Sequence, residues 1–226
     1  MRIVGRDAAD RVVFTTTLPH GENPDVTAYD QGYVMEGTRC AQRAADGELE
    51  LELSVRPRSG EAAPRRSVAG RDRELVVGVG EQPQQRQRIA AYALVRSSRG
   101  LLATQYSDRT AVDGRWGMPG GGLDDGEEPA AAALREVHEE TGQLVILGDL
   151  VTVQTSHWIG RSPRGILEDF HAVRLVYAAT CPQPSDPQVL DAGGTTADAR
   201  WVALAEWTRL DWTPGWRAIL TAALRP

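Results

Sequence analysis

Positive charge is in deficit in this chain: 25 basic residues stand against 31 acidic ones, a net charge of −6. A protein that grips a nucleic-acid backbone needs a surplus of Lys and Arg on one face, so that class is disfavoured. A small phosphorylated ligand, which a few local arginines can serve, stays open. Cysteine is nearly missing, with only Cys40 and Cys181, far apart and in no CxxC pair. That excludes a zinc ribbon and a disulfide framework, and both are expected as buried free thiols. No apolar run reaches membrane-spanning length, and Met1 to Val13 carries Arg2, Arg6, Asp7, Asp10 and Arg11 where a signal sequence would need an apolar stretch. The expectation is a soluble, cytoplasmic protein without membrane partners. No internal repeat is visible.

What is present is an ordinary globular composition, 41% hydrophobic and 25% charged over 226 residues. That length suits one large domain, or a catalytic domain of about 150 residues with a smaller companion. The first part, to residue 60 or so, breaks into short β-like runs at Val12 to Thr17, Val26 to Met35 and Glu48 to Val55. In the last of these Leu49, Leu51, Leu53 and Val55 share one face, the mark of a half-buried strand, and Glu48, Glu50 and Glu52 read as its solvated side. Arg56 to Arg73 has loop or linker composition, and Glu74 to Gly78 reads as one further strand.

From Arg88 the pattern tightens. Ile89 to Val95 and Leu101 to Tyr106 form a hairpin about the polar turn Arg96 to Gly100. A glycine-rich turn, Gly117 to Gly126, leads to a helix opened by Pro129 and closed by Gly142 in the place of a left-handed cap. Strands are expected at Leu144 to Thr155, Phe170 to Ala179 and Arg200 to Val202. Short helices at Leu204 to Arg209 and Pro214 to Leu224 close the chain. The expected division is a β-rich N-terminal extension over residues 1–82 and an α/β (α+β) sandwich domain with a mixed sheet over residues 83–226.

The chemistry concentrates on the helix after the glycine turn. Glu136, Glu139 and Glu140 lie within about one turn, an arrangement that repels itself unless a hard cation gathers the carboxylates. Arg135 is spaced to pair with Glu139. An exposed acidic helix face would explain the glutamates alone, but Trp116, Gly117, Met118, Pro119, Gly120, Gly121 and Gly122 run straight into it. Consecutive glycines let backbone approach a phosphate or turn a carbonyl toward a metal.

Together these residues resemble the Nudix box, G-x5-E-x7-R-E-U-x-E-E-x-G-U with U aliphatic. Gly121, Glu127, Arg135, Glu136, Val137, Glu139, Glu140 and Gly142 fall in register, and the one departure is Gln143 at the final aliphatic position. The strand, hairpin, turn and helix order from Arg88 onward resembles the whole Nudix domain, whereas residues 1 to about 80 resemble nothing nameable. The resemblance implies an α/β/α fold and a pyrophosphohydrolase in which water attacks phosphorus of a nucleoside diphosphate derivative. It implies Mg²⁺, with Mn²⁺ as an alternative, on Glu136, Glu139, Glu140 and the carbonyl of Gly120, with Glu127 supporting from the loop. The candidate catalytic set is Arg135, Glu136 and Glu139, with Glu136 the first choice as base; Glu168, Asp169, Asp191 and Asp198 are candidates outside the box.

A diphosphate also needs cations, and Arg88, Arg109, Arg115, Arg161 and Arg164 are available, with Trp158 as a stacking platform for a base. The Met-Pro-Gly-Gly-Gly turn at 118 to 122 is similar to that of family members acting on nucleoside triphosphates. A β-rich extension is similar to dimeric ADP-ribose pyrophosphatases. Three functions follow from the resemblance: hydrolysis of a nucleoside triphosphate or modified nucleotide, hydrolysis of ADP-ribose or a nucleotide sugar, and non-catalytic nucleotide sensing. A homodimer through the extension is expected, because a small β-rich segment buries little by itself.

Overall fold

The structure, a computed structural model, describes residues 1–72, 74–110, 112–162, 164–191 and 193–224. In chain order the elements are β1 (Arg2–Arg6), β2 (Val12–Thr17), α1 (Pro24–Asp30), β3 (Tyr33–Arg43), β4 (Leu49–Pro57), β5 (Gly70–Arg71), β6 (Gln84–Ser97), β7 (Gly100–Tyr106), β8 (Trp116–Gly117) and β9 (Gly120–Gly122). They continue with α2 (Pro129–Thr141), β10 (Ile146–Arg161), β11 (Leu167–Thr180), β12 (Thr196–Val202), a 3-10 turn at Trp207–Arg209 and α3 (Pro214–Ala223). Two compact units form, one of Met1–Ala90 with Leu150–Leu175, the other of Ala91–Asp149 with Val176–Pro226.

In the first unit four strands pair in the order β2-β1-β4-β3, with β1 and β4 parallel and the other neighbours antiparallel. The alternation in β4 does what its spacing dictates. Leu49, Leu51, Leu53 and Val55 are buried. On the opposite face Glu50 and Glu52 meet arginines of β1, at 2.6 Å from Arg2 and 2.8 Å from Arg6. A strand with like-charged residues on one face is thereby matched to a neighbour carrying the opposite charge.

Two local readings are corrected here. The Val26 to Met35 run is not one strand: Pro24 at the first helical position opens α1, and Val26, Thr27 and Ala28 are buried on its inner side. The chain leaves that helix through Gly32 at a positive φ of 93° and only then extends into β3. Tertiary burial and the proline start outweigh the weak β propensity of Val, Thr and Tyr. Glu74 to Gly78 forms no strand, and a two-residue strand at Gly70–Arg71 pairs with β10 instead. The short strand β1 was hidden by its charges.

The second unit is an α/β/α sandwich, and the hairpin shows why. Successive side chains of a strand point to opposite faces. Leu94 of β6 with Leu101 and Ala103 of β7 face one core together with Trp116, Met118, Trp212, and Trp216 and Leu220 of α3. Ala93 and Val95 of β6 with Leu102 of β7 face another core that contains Val137 of α2. Burying each large side chain contributes about 1.5–3 kcal/mol. The hairpin turns where expected, with Arg96 opposite Leu101 and Ser97 opposite Gly100, and β12 lies antiparallel on β7. Of the two closing helices, the first is only the 3-10 turn at Trp207–Arg209.

Candidate functional site

The site grows from the end of β9 and one face of α2. Gly120 has a φ of 147°, and a Cβ there would stand 2.4 Å from the carbonyl oxygen of Ala91. Only glycine lets the turn lie this close to β6, where the Pro119 carbonyl accepts from the Ala93 N–H at 3.0 Å. The next residue, Gly121, leaves space of a different kind: a Cβ would meet the Glu136 carboxylate at 2.5 to 2.7 Å. The turn is therefore a cradle of bare backbone against an acid.

Helix α2 begins at Pro129, whose missing N–H costs nothing in the first turn, and ends at Gly142 with φ 67°, whose N–H bonds the His138 carbonyl at 2.8 Å. Its inner face carries Pro129, Ala132, Ala133, Val137, Glu140 and Thr141. Glu140 thus sits on the apolar seam of the helix, 8% exposed, whereas the Glu139 side chain is 45% exposed. The three glutamates are graded from inside to outside.

Buried charge has to be answered locally. One Glu140 oxygen accepts the Gly120 N–H at 2.9 Å, and the other accepts the Thr196 hydroxyl from β12. Burial nevertheless pushes the Glu140 carboxyl up to about 7, the two hydrogen bonds acting against that and the charges of Glu136 and Asp191 adding to it. Asp191 belongs to a segment docked on the end of α2. The Gln188 N–H donates to the Thr141 carbonyl, and the Leu190 and Asp191 N–H groups donate to the Glu139 carbonyl at 2.8 and 3.1 Å.

Arg135 organises the remaining acids. It donates to both oxygens of Glu127 at 2.9 Å, to Glu136 and Glu139 at 3.0 Å each, and to the Gly122 carbonyl at 3.1 Å. The guanidinium holds the Glu127 carboxyl below the usual carboxylate range. The pairing with Glu139 is present as its spacing predicts, but the stronger attachment is to Glu127.

Glu136, Glu139, Glu140 and the Gly120 backbone come from one turn and one helix, and their donors are all hard oxygens of the kind that suits Mg²⁺. Bare Gly121 lets the Glu136 carboxylate lie directly against the turn, and it is the all-oxygen donor chemistry of these residues that fits such an ion. Their carboxylates are each committed to a protein donor. Among the described residues, ligand atoms within 4.8 Å of one another occur at His20, His157 and Asp169, and the box glutamates are not such a group.

The other sequence candidates distribute as follows. Arg109 is exposed and donates to the Gly193 carbonyl, and Arg115 lies 3.9 Å from Asp211. Asp198 pairs with Arg200 at 3.0 Å, and Arg200 in turn lies over the Trp116 ring at 4.0 Å. In the first unit Arg88 is exposed on β6, Arg164 is exposed, and Arg161 is paired with Glu81 at 2.7 Å. Glu168 is buried and paired with Arg86, while Asp169 is shared by His20 and His157. The Trp158 ring lies over Gly160, where a Cβ would meet it at 2.1 Å, and stands 5.7 Å from Phe170.

Sequence reasoning missed Thr196, an unremarkable residue in a Gly-Gly-Thr-Thr stretch, and gave no role to the His residues. Gln143 turns out to be a satisfied buried polar group. Its Nε2 donates to the Ser185 hydroxyl at 2.9 Å and the Thr141 carbonyl at 3.2 Å, and its Oε1 accepts the Ser185 N–H at 3.0 Å.

An α/β/α domain with a bare glycine turn set against an acid-bearing helix is the arrangement this unit presents. A model of the NUDIX domain matches residues 86–223, and the chain belongs to that family. Among curated proteins it is 43% identical over 53 residues to Nudix hydrolase 25 of Arabidopsis thaliana, covering 24% of this chain and 29% of that protein. It is 38% identical over 98 residues to an RNA pyrophosphohydrolase of Rhodopseudomonas palustris, covering 38% and 54% respectively. The chain spans about a third or less of the length of the first curated relatives it matches. Among solved structures, a MutT protein from Methanosarcina mazei aligns at 19% identity and a TM-score of 0.46, covering 63% of this chain and 96% of that one. The NUDIX domain of Shewanella oneidensis NrtR, crystallised with ADP ribose, aligns at 22% identity and 0.46, covering 61% and 86%. No helix among the described residues is long and apolar enough to cross a membrane.

Proposed function

We propose that this chain is a Mg²⁺-dependent pyrophosphohydrolase that cleaves a diphosphate linkage in a nucleoside triphosphate or modified nucleotide. The observation that carries the proposal is the closure of the glycine turn on the acidic helix: Glu140 on the Gly120 N–H, Arg135 on the Gly122 carbonyl, and Glu136 against bare Gly121.

In this reading each side chain has its own task. Glu139 and Glu140 with Glu136 and the Gly120 carbonyl present oxygens to the cation, which when bound would neutralise the diphosphate and acidify the attacking water. Glu136 accepts the proton of that water as its oxygen attacks phosphorus and the bridging P–O bond breaks, the electron pair leaving with the bridging oxygen. Arg135 is a positioning residue that fixes the rotamers of Glu127, Glu136 and Glu139. Bare Gly120 and Gly121 let the turn close onto β6 and onto the Glu136 carboxylate, which keeps backbone and acids together. Arg109 and Arg115 supply cationic contacts to the remainder of the substrate; Arg88, a further cation, and Trp158, a stacking platform in the sequence reading, belong to the first unit and are not assigned to this site.

The net charge of −6 supports a small nucleotide over a polymer, although the Rhodopseudomonas relative is named for RNA. The Met118-Pro-Gly-Gly-Gly turn favours a triphosphate. The rival substrate class is ADP-ribose or a nucleotide sugar, and the rival of another kind is nucleotide sensing without turnover. A cytoplasmic homodimer is part of the same reading, with β2 and β3, the outer strands of the four-stranded sheet, as the edges available for pairing.

The test is phosphate and pyrophosphate release from nucleoside triphosphates, oxidised nucleotides, ADP-ribose, nucleotide sugars and a 5′-triphosphorylated oligonucleotide, with and without Mg²⁺. Turnover of a triphosphate that disappears in the Glu139→Gln/Glu140→Gln variant is expected, with circular dichroism unchanged. Preferential cleavage of ADP-ribose would replace the substrate, and turnover retained by the double variant would remove the assigned site. Light scattering of a monomer would dispose of the dimer.

A further inference from the structure

Within the first unit, four titratable side chains from three segments converge. His20 lies on the turn between β2 and α1, His157 on β10, and Asp169 and His171 two apart on one face of β11. The Nε2 atoms of His20 and His157 both point at the same Asp169 oxygen, at 3.1 and 2.5 Å. These three ligand atoms lie within 4.8 Å of one another, and their side chains are only 16 to 19% exposed. His171 is 0% exposed, and its Nε2 is buried with no hydrogen-bond partner among the described residues, while its Nδ1 meets Gln87 at 3.0 Å.

The ring centroids are separated by 5.4 Å for His20 and His157, 5.6 Å for His20 and His171, and 6.3 Å for His157 and His171. Imidazoles sharing one tetrahedral ion have centroids roughly 5 Å apart, which follows from a metal–nitrogen bond of about 2.1 Å. The turn is built to hold this approach. Gly21 has φ +76°, and a Cβ on it would stand 2.4 Å from Nδ1 of His157. The Thr155 hydroxyl ties Asn23 to the same strand. Two imidazoles and a carboxylate gathered beside an unpartnered buried nitrogen are costly as a bare polar cluster, and an ion shared by the first three offsets that cost.

We propose that His20 Nε2, His157 Nε2 and Asp169 Oδ1 form a second metal site for a borderline transition ion, Zn²⁺ in the first instance, with the buried His171 ring packed beside them. Two nitrogens and one carboxylate suit Zn²⁺, whereas Mg²⁺ prefers oxygen alone. The ion would fasten the turn at His20 to strands β10 and β11, a role independent of the acidic helix.

The experiment uses the full chain, stripped with a chelator and titrated with Zn²⁺ against a chromophoric competitor. One equivalent bound at micromolar affinity or tighter is the order expected of a site with three such donors. The Glu139→Gln/Glu140→Gln variant should keep that equivalent, and His20→Gln and Asp169→Asn should each weaken it at least about 100-fold. X-ray absorption of the wild-type zinc form, which needs no variant, should show nitrogen and oxygen neighbours with two imidazoles. Absence of stoichiometric binding overturns the proposal. So does zinc that is lost with the glutamate pair and kept by both His20→Gln and Asp169→Asn, or an absorption spectrum without imidazole. Circular dichroism distinguishes a variant that fails to fold, in which case the wild-type spectrum alone decides.

Discussion

Arg135 grips Glu127 as a fork, its Nε and one Nη each 2.9 Å from a different oxygen of the same carboxylate. The other Nη is 3.0 Å from both Glu136 and Glu139, so one guanidinium fixes three acids that come from the loop and from the helix. A Lys ammonium is a point charge and cannot reproduce two parallel bonds plus a third branch. Arg135→Lys should therefore reduce kcat by about 10–100-fold, the scale seen when groups that orient metal ligands are lost, with KM little changed. Steady-state kinetics at saturating Mg²⁺ checks this; a change confined to KM would show that Arg135 binds substrate directly.

Thr196 donates its hydroxyl to buried Glu140, and both are closed off from water. Thr196→Val keeps the shape and removes the donor, leaving a buried carboxylate oxygen without its partner. The cost should be about 1–3 kcal/mol in denaturant unfolding of the metal-free protein, with Thr196→Ser restoring most of it. Equal losses for Val and Ser would show that packing of the methyl group, and not the hydrogen bond, is what matters.

How much of this was readable in the sequence follows from distance along the chain. Helix α2, its Pro129 start, its Gly142 cap and the register of the acids are short-range, fixed by spacings of three, four and seven, and they stand where the pattern puts them. The alternation of β4 and the β6–β7 hairpin are equally local. Thr196 is 56 residues from Glu140, and His20 is 149 residues from Asp169. No local period connects such pairs; only the pairing of strands brings them together. The misreading of Val26 to Met35 has the same origin, since what makes Pro24–Asp30 a helix is the burial of Val26 and Ala28. Even on α2 the sequence groups the three glutamates on one side, whereas the packing of Val137 draws Glu140 inward and leaves Glu139 facing water.

The inward position of Glu140 makes stability depend on pH in a specified direction. Its carboxyl is raised from 4.5 to about 7 by burial, so the folded state holds a proton that the unfolded chain releases. The stabilisation from that proton is complete below pH 4.5 and is lost as pH rises through 7. Over that window the metal-free wild type should lose on the order of 3 kcal/mol relative to Glu140→Gln, which cannot titrate. Added Mg²⁺ should reverse the trend, because a ligating carboxylate must be ionised, and should stabilise more at pH 8 than at pH 5.5. Thermal unfolding of both proteins from pH 4.5 to 8.5 with chelator present is the measurement, and parallel curves would refute the coupling.

Gln143 is the one position where the box departs from an aliphatic residue, and the structure gives that departure a cause. The side chain is 2% exposed and makes its contacts to Ser185 through both ends of the amide, with Cys181 Sγ at 3.7 Å from its oxygen. It ties the exit of α2 to the segment after β11, a segment that also docks on the last turn of the helix through Gln188. Gln143→Leu would restore the family pattern and still remove the acceptor of the Ser185 N–H. Ser185 is exposed, so its N–H turns to water when the amide is gone, and this substitution should destabilise by about 0.5–1.5 kcal/mol, the net worth of a typical hydrogen bond. The effect on Mg²⁺-dependent turnover should be small at temperatures where the variant is folded, since the hydrogen bonds of the amide go to Ser185, Thr141 and Cys181. Chemical denaturation together with a Gln143→Leu/Ser185→Ala double-mutant cycle measures the coupling. A variant as stable as the wild type would mean that the aliphatic residue packs well enough to replace the network, and that Gln143 serves no structural purpose.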